Sequence, residues 1–149
     1  MNKDEKWMRE AIKEAVKAQN HGEVPVGAVV IKDEVIIGKG HNQPISLNDA
    51  TAHAEIQAIR SAGIMLKNYR LKGASIYITL EPCSMCMGAI SHARIERVVF
   101  GANDSKNTDE LRVKKVMSNN PSLNSVELVG GVLDRECSKL LKTFFKKRR

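Results

Sequence analysis

A chain of 149 residues, 42% of them hydrophobic, can bury one core and leaves no room for a second domain. Its 24 Lys and Arg against 17 Asp and Glu give a formal charge of +7, which favours polyanionic partners without naming one. No apolar run approaches the roughly eighteen residues of a membrane span. The polar start Met1-Asn2-Lys3-Asp4-Glu5 lacks a signal-peptide core, so a soluble, cytoplasmic protein with no membrane partner is expected.

Over residues 4–20, Trp7, Met8, Ala11, Ile12, Ala15 and Val16 recur at helical spacing, and Gly22 follows as a stop. Residues 24–31 and 35–40 predict a β-hairpin around Lys32-Asp33-Glu34, with Pro25 near a strand start, where a missing N–H is tolerated. Thr51 offers a cap for a helix running to about residue 62, which Gly63 ends, so that His53 and Glu55 fall in its first turn. Residues 75–80 predict a β-branched strand, 83–92 a short helix, and 96–101 a continuously apolar strand whose burial implies parallel pairing. A weaker helix over 109–117, a strand over 126–129 and a closing helix from 134 to about 146 complete an alternating α/β order. Lys139, Lys142, Lys146, Lys147, Arg148 and Arg149 crowd the chain end around Phe144 and Phe145. Charge beside aromatics suits single-stranded RNA. A solvated helix with its phenylalanines in the core accounts for the same pattern.

Chemistry concentrates in His53-Ala54-Glu55 and Pro82-Cys83-Ser84-Met85-Cys86. Three cysteines, two of them spaced as a metal pair, make no disulfide framework and suit a reducing compartment. Cys137 is left over and is expected to be a small buried apolar residue. Alone, Cys83 and Cys86 could be a redox pair or half of a structural zinc site. With His53 they supply three ligands and leave the fourth tetrahedral position to water, whereas structural zinc is normally closed by four protein ligands. Such a water loses its proton near neutral pH, and Glu55 is the nearest group to receive it. The positive end of the second helix favours the thiolates. Residues two apart on a helix diverge, so His53 and Glu55 can serve one ion only if a helix tip is aimed at it.

H-x-E followed by P-C-x-x-C resembles the signature of the zinc-dependent cytidine and adenosine deaminases. Further matches lie in Glu23-Val24-Pro25-Val26-Gly27-Ala28-Val29, His41-Asn42, Thr51-Ala52-His53-Ala54-Glu55, Asn68-Tyr69-Arg70-Leu71, Tyr77-Ile78-Thr79-Leu80-Glu81-Pro82-Cys83, the segment from Arg94 to Ala102, and Phe144-Phe145. Together these resemble the bacterial tRNA-specific adenosine deaminases over nearly the whole chain. The resemblance implies a single deaminase domain over residues 1–149 with a basic C-terminal helix. Its expected architecture is a three-layer α/β/α fold with a mixed five-stranded sheet, the cytidine-deaminase-like fold. The implied reaction is hydrolysis of an amidine C–N bond, converting adenosine to inosine at the wobble position of a tRNA anticodon, with an arginine tRNA as substrate.

One Zn²⁺ per subunit on His53, Cys83 and Cys86, Glu55 as proton shuttle, and a homodimer are implied with it. So are substrate roles for Asn42 as reader of the base, Val26 as apolar wall, and the backbone around Ala54 and Cys83. Asp104 and Lys106 would contact neighbouring ribose and phosphate, with Arg70, Arg94, Phe144, Phe145 and Lys146 as further RNA contacts. Without the resemblance, Asn42 reads as a loop-capping amide, Val26 as a core strand residue, and Asp104 and Lys106 as turn residues. Two other functions fit the same residues: a guanine or cytosine deaminase for free bases or nucleosides, and a non-catalytic zinc-containing RNA-binding subunit. The chain departs from the family after Lys106, where Asn107-Thr108-Asp109-Glu110-Leu111-Arg112 replaces a compact glycine-containing loop. Asp109 and Glu110 there would repel phosphates.

Overall fold

In the computed structural model, which describes residues 2–103 and 112–148, helix α1 (Lys3–Asn20) begins one residue before its apolar spacing predicts. The cause is a cap: Asn2 Oδ1 accepts the Glu5 N–H at 2.8 Å and Asn2 Nδ2 donates to the Glu5 carboxylate at 3.2 Å. Strands β1 (Gly27–Lys32) and β2 (Val35–His41) form the expected hairpin. Asp33 and Glu34 turn it with φ of 52° and 64°, the left-handed pair that matches strand twist. A short helix α2 (Pro44–Leu47), unanticipated, precedes α3 (Ala54–Leu66).

The expected bounds of α3 are corrected at both ends. Thr51 does not cap it, because its hydroxyl and N–H both donate to Asp49 Oδ1, and His53 takes the cap position instead. The helix also runs through Gly63, and stops only where Lys67 turns left-handed at φ 53°. A glycine costs a helix about 1 kcal/mol, too little to end one that is packed on a sheet. Strand β3 (Ser75–Leu80), helix α4 (Ser84–His92), strand β4 (Arg97–Ala102), helix α5 (Arg112–Ser118), a 3₁₀ turn (Pro121–Leu123), strand β5 (Glu127–Val129) and helix α6 (Asp134–Lys147) follow.

The sheet order is β2-β1-β3-β4-β5. Strand β1 pairs antiparallel with both β2 and β3, while β3–β4 and β4–β5 are parallel, so the sheet is mixed. Alternate side chains feed two cores. Val30, Ile76, Ile78 and Val98 face Ala54, Ala58, Met87, Ile90 and Val113 of α3, α4 and α5. Val29, Tyr77 and Val99 face Trp7, Met8 and Ala11 of α1 and Cys137 of α6. That is the expected three-layer order, and Cys137 is the buried apolar residue the sequence predicts. Helix α3 rides unusually low on β2: a Cβ at Gly40 would fall inside the contact radii of Ala54 O and Ala58 N. Among the described residues, no helix is long and apolar enough to cross a membrane.

One end of the sheet carries an ionic anchor. Arg97 grips Asp4 through Nη1 and Nη2 at 2.8 and 2.9 Å, the Tyr77 hydroxyl donates to Asp4 at 2.8 Å, and Arg97 Nε reaches Glu127 at 2.9 Å. The Arg97 bonds lower the Asp4 pKa from 3.8, with burial opposing. A depressed pKa contributes stability above the unfolded value, lost as pH falls through the folded one. Asp4→Asn is therefore expected to cost about 1 kcal/mol at neutral pH, given that solvent reaches the pair. In thermal melts the difference should close as pH drops below 3.8.

Candidate active site

The start of β1 and the ends of β2, β3 and β4 meet at the opposite end of the sheet, and α3 and α4 both begin there. This is where open α/β sheets offer a crevice. His53 is the N-cap of α3 and Cys83 the N-cap of α4, each in extended conformation and neither using its side chain to cap. His53 thus lies outside the helical spiral while Glu55 lies in its first turn. That placement removes the geometric objection to both serving one ion.

His53 Nδ1 stands 3.7 Å from Cys83 Sγ and 3.5 Å from Cys86 Sγ, and all three donors lie within 4.8 Å of one another. Zinc–sulfur bonds of about 2.3 Å and zinc–nitrogen bonds of about 2.05 Å at tetrahedral angles separate S from N by about 3.6 Å. The spacing and the donor chemistry fit zinc, and among the described residues no fourth His, Cys, Asp or Glu joins the group. Cys83 is lowered to about 4, chiefly by the hydrogen bond from the Cys86 thiol, against the effect of burial. The reciprocal bond and burial push Cys86 up, so the pair readily presents one thiolate and yields the second proton on metal binding. Glu55 is 4% exposed, and burial is the main cause that raises its pKa. Burial that favours the neutral carboxyl lets it accept a proton from water more readily than an exposed glutamate does.

Around these, Asn42 Oδ1 accepts the Ala54 N–H at 2.8 Å, and the Asn42 N–H donates to Val26 O at 3.1 Å. The amide does cap a helix start, as its bland reading has it. Its Nδ2 makes no hydrogen bond among the described residues. Val26 is buried at the entrance to β1. The structure therefore brings Val26, Asn42, Ala54, His53, Glu55, Cys83 and Cys86 to one edge. Asp104 and Lys106 lie outside the described residues, as do positions 107–111 of the divergent loop.

The remaining expected contacts divide. Phe145 and Lys146 line a cavity of about 830 Å³ at the same sheet edge, with Val24, Leu80, Asn103 and Arg148. Phe145 is 49% exposed, so it is not the core residue the solvated-helix reading expects. Phe144 sits edge-on to Phe145 and under the Arg148 guanidinium, facing away from this cavity. Arg70 and Arg94 are exposed beyond the far ends of α3 and α4, joined by the Leu71 N–H to Ala93 O bond at 2.6 Å. The 13 residues of α3 put about 20 Å between Arg70 and His53, and the 9 residues of α4 put about 14 Å between Arg94 and Cys83. Within one chain they do not join the site.

Two buried carboxylates escape sequence reasoning. Glu81 accepts the Val113 N–H at 3.1 Å and its carbonyl accepts from Arg112 at 2.8 Å, which ties the Pro-Cys-x-x-Cys segment to α5. Glu23 holds α2. Their only sequence signal is a glutamate beside proline-containing apolar runs.

The model for the cytidine and deoxycytidylate deaminase zinc-binding region matches residues 1–102, a span that ends with β4 and contains all three donors and Glu55. This is the class that a mixed sheet with an open donor triad at its edge defines. The relatives narrow it. A tRNA-specific adenosine deaminase of Haemophilus influenzae is 49% identical over 148 residues, covering 98% of this chain and 85% of its own. A solved structure from work on A-to-I editing by tRNA:A34 deaminases at the wobble position of transfer RNA is 40% identical, with a TM-score of 0.83 over 91% of this chain and 99% of its own. A guanine deaminase from Bacillus subtilis is 42% identical but covers only 68% of this chain and 65% of its own, with a TM-score of 0.64. The chain belongs to the tRNA-specific adenosine deaminases.

Proposed function

We infer that the protein hydrolytically deaminates adenosine to inosine at the wobble position of a tRNA anticodon. The observation that carries this is Glu55, buried beside an open His-Cys-Cys donor set on a chain whose tRNA-deaminase likeness extends through the basic last helix. His53, Cys83 and Cys86 would hold one zinc per subunit. Zinc there supplies a water whose proton is lost near neutral pH. Glu55 takes that proton and delivers it to the purine nitrogen next to the amino-bearing carbon. The water oxygen bonds to that carbon, Glu55 takes the proton that remains on this new hydroxyl and passes it to the amino nitrogen, and the C–N bond breaks to release ammonia and leave a carbonyl. Val26 walls the base, and Asn42, whose Oδ1 is engaged by Ala54, offers its Nδ2 to a ring acceptor.

An unpaired anticodon base is already accessible, so extrusion costs little. Phe145 and Lys146 beside the cavity suit a flanking base and phosphate, and Asp104 and Lys106 are assigned to neighbouring ribose and phosphate. An arginine tRNA is the expected substrate, in a reducing, cytoplasmic setting. The assembly is read as a homodimer. Helix α4 supports this: Met87 packs in the core, but Met85 stays 37% exposed, an apolar strip that a second copy would cover. A partner would also supply the Arg70 and Arg94 that one chain keeps away from its own site.

Purified protein is expected to carry one zinc per chain, with a melting point lowered by chelation. It should release ammonia from a transcribed anticodon stem-loop and leave inosine that sequences as guanosine. Conversion of guanine or cytosine with the stem-loop untouched would move the function to a free-base deaminase, the reading that the B. subtilis likeness favours. Binding of tRNA without ammonia would make the chain a non-catalytic subunit.

A further inference from the structure

Glu23 sits in the loop between α1 and β1, 2% exposed, and takes part in no salt bridge among the described residues. Three donors converge on it, all from the first turn of α2: the Ile45 N–H at 3.3 Å, the Ser46 N–H at 2.7 Å and the Ser46 hydroxyl at 2.8 Å. Burial works against its charge, yet these bonds outweigh burial and hold its carboxyl below the ordinary range. Among the described residues its hydrogen-bond donors all come from one four-residue helix, so the carboxylate is a clamp on that helix.

What it clamps borders the site. Helix α2 belongs to an excursion closed by the Gln43 N–H to Ala52 O bond at 2.9 Å, with Asn42 at one foot and His53 at the other. Its outer surface shows Ile45, 70% exposed, and Leu47. On the other side, Glu23 lies three residues before Val26, whose carbonyl holds the Asn42 N–H. His53 at that foot is also held as the N-cap of α3, and Cys83 and Cys86 are fixed apart from the excursion at the start of α4.

We propose that Glu23 is a positioning residue for the RNA: by clamping α2 it holds the excursion between Asn42 and His53 as a fixed wall for nucleotides flanking the target adenosine. This rests on the tRNA reading above. It acts on binding, not on the chemical step.

Glu23→Gln leaves one acceptor where there were two and turns an amide N–H₂ toward donors. The variant is expected to keep its zinc and a kcat within a few fold of wild type. Its KM for the anticodon stem-loop should rise on the order of 10- to 100-fold. Amide hydrogen exchange at Ile45 and Ser46 should accelerate together with it. Ser46→Ala, which removes one donor and leaves a foldable core, should raise KM by a smaller factor, and the two changes combined should be less than additive. A folded, zinc-loaded Glu23→Gln with wild-type KM overturns the proposal, as does a loss confined to kcat or to zinc content. If Glu23→Gln does not fold, an unchanged KM in Ser46→Ala overturns it. A wild-type enzyme that leaves the stem-loop unconverted sinks the tRNA reading and the KM claim with it, whereas slow exchange at Ser46 in Glu23→Gln sinks the clamp alone.

Discussion

Glu55→Gln is expected to bind zinc as the wild type does and to lose deaminase turnover by about a thousand-fold, the scale of a positioned general acid and base. The amide keeps the shape of the side chain and fits the same buried space. It cannot take a proton from water or give one to the purine, so both halves of the proton transfer fail together. Because burial already disfavours the carboxylate at this position, the neutral amide should not lower the melting point. Metal analysis and single-turnover assays on stem-loop RNA check the three expectations at once. A fully active, zinc-loaded variant would end the assignment of Glu55.

The second large effect comes from a residue that touches no substrate. Gly40→Ala drives a methyl into Ala54 O and Ala58 N, and backbone cannot swing aside as a side-chain tip does. Helix α3 must lift off β2, carrying His53 and Glu55 away from Cys83 and Cys86. A loss of about 3 kcal/mol of stability is expected, at the upper end for an overpacked core, together with loss of zinc. Gly63→Ala is the matched control, since its nearest neighbour would be Asn68 O at an ordinary 3.5 Å. Inside a helix it should gain up to about 1 kcal/mol. Thermal melts and zinc content of the two variants separate close packing from glycine flexibility.

The chemistry was legible in the sequence because metal ligands announce themselves by type and spacing: His53, Glu55, Cys83 and Cys86 stand where H-x-E and P-C-x-x-C put them. Periodicity carried the long elements, α1, β3, β4 and α6, for the same reason that it builds them, one apolar face per layer. It failed where polar contacts decide. Thr51 looked like a cap because its side chain can be one, but Asp49 claims it. Helix α2 has four residues, too few for any period, and exists because Glu23 satisfies its first turn from 23 positions away. Long-range pairing is likewise invisible to local pattern. Nothing in Glu23 or Glu81 by itself tells a buried clamp from a surface charge.

The two ends of the sheet bear different loads. Strands of six residues, about 20 Å long, separate the Asp4–Arg97–Tyr77 anchor from the edge where β3 hands over to the zinc donors. The charged anchor thus lies far from the reacting groups, and its loss should cost stability without displacing them. A substitution at the anchor and one at the rim should therefore be separable in the laboratory, the first read in melting point and the second in conversion of the stem-loop.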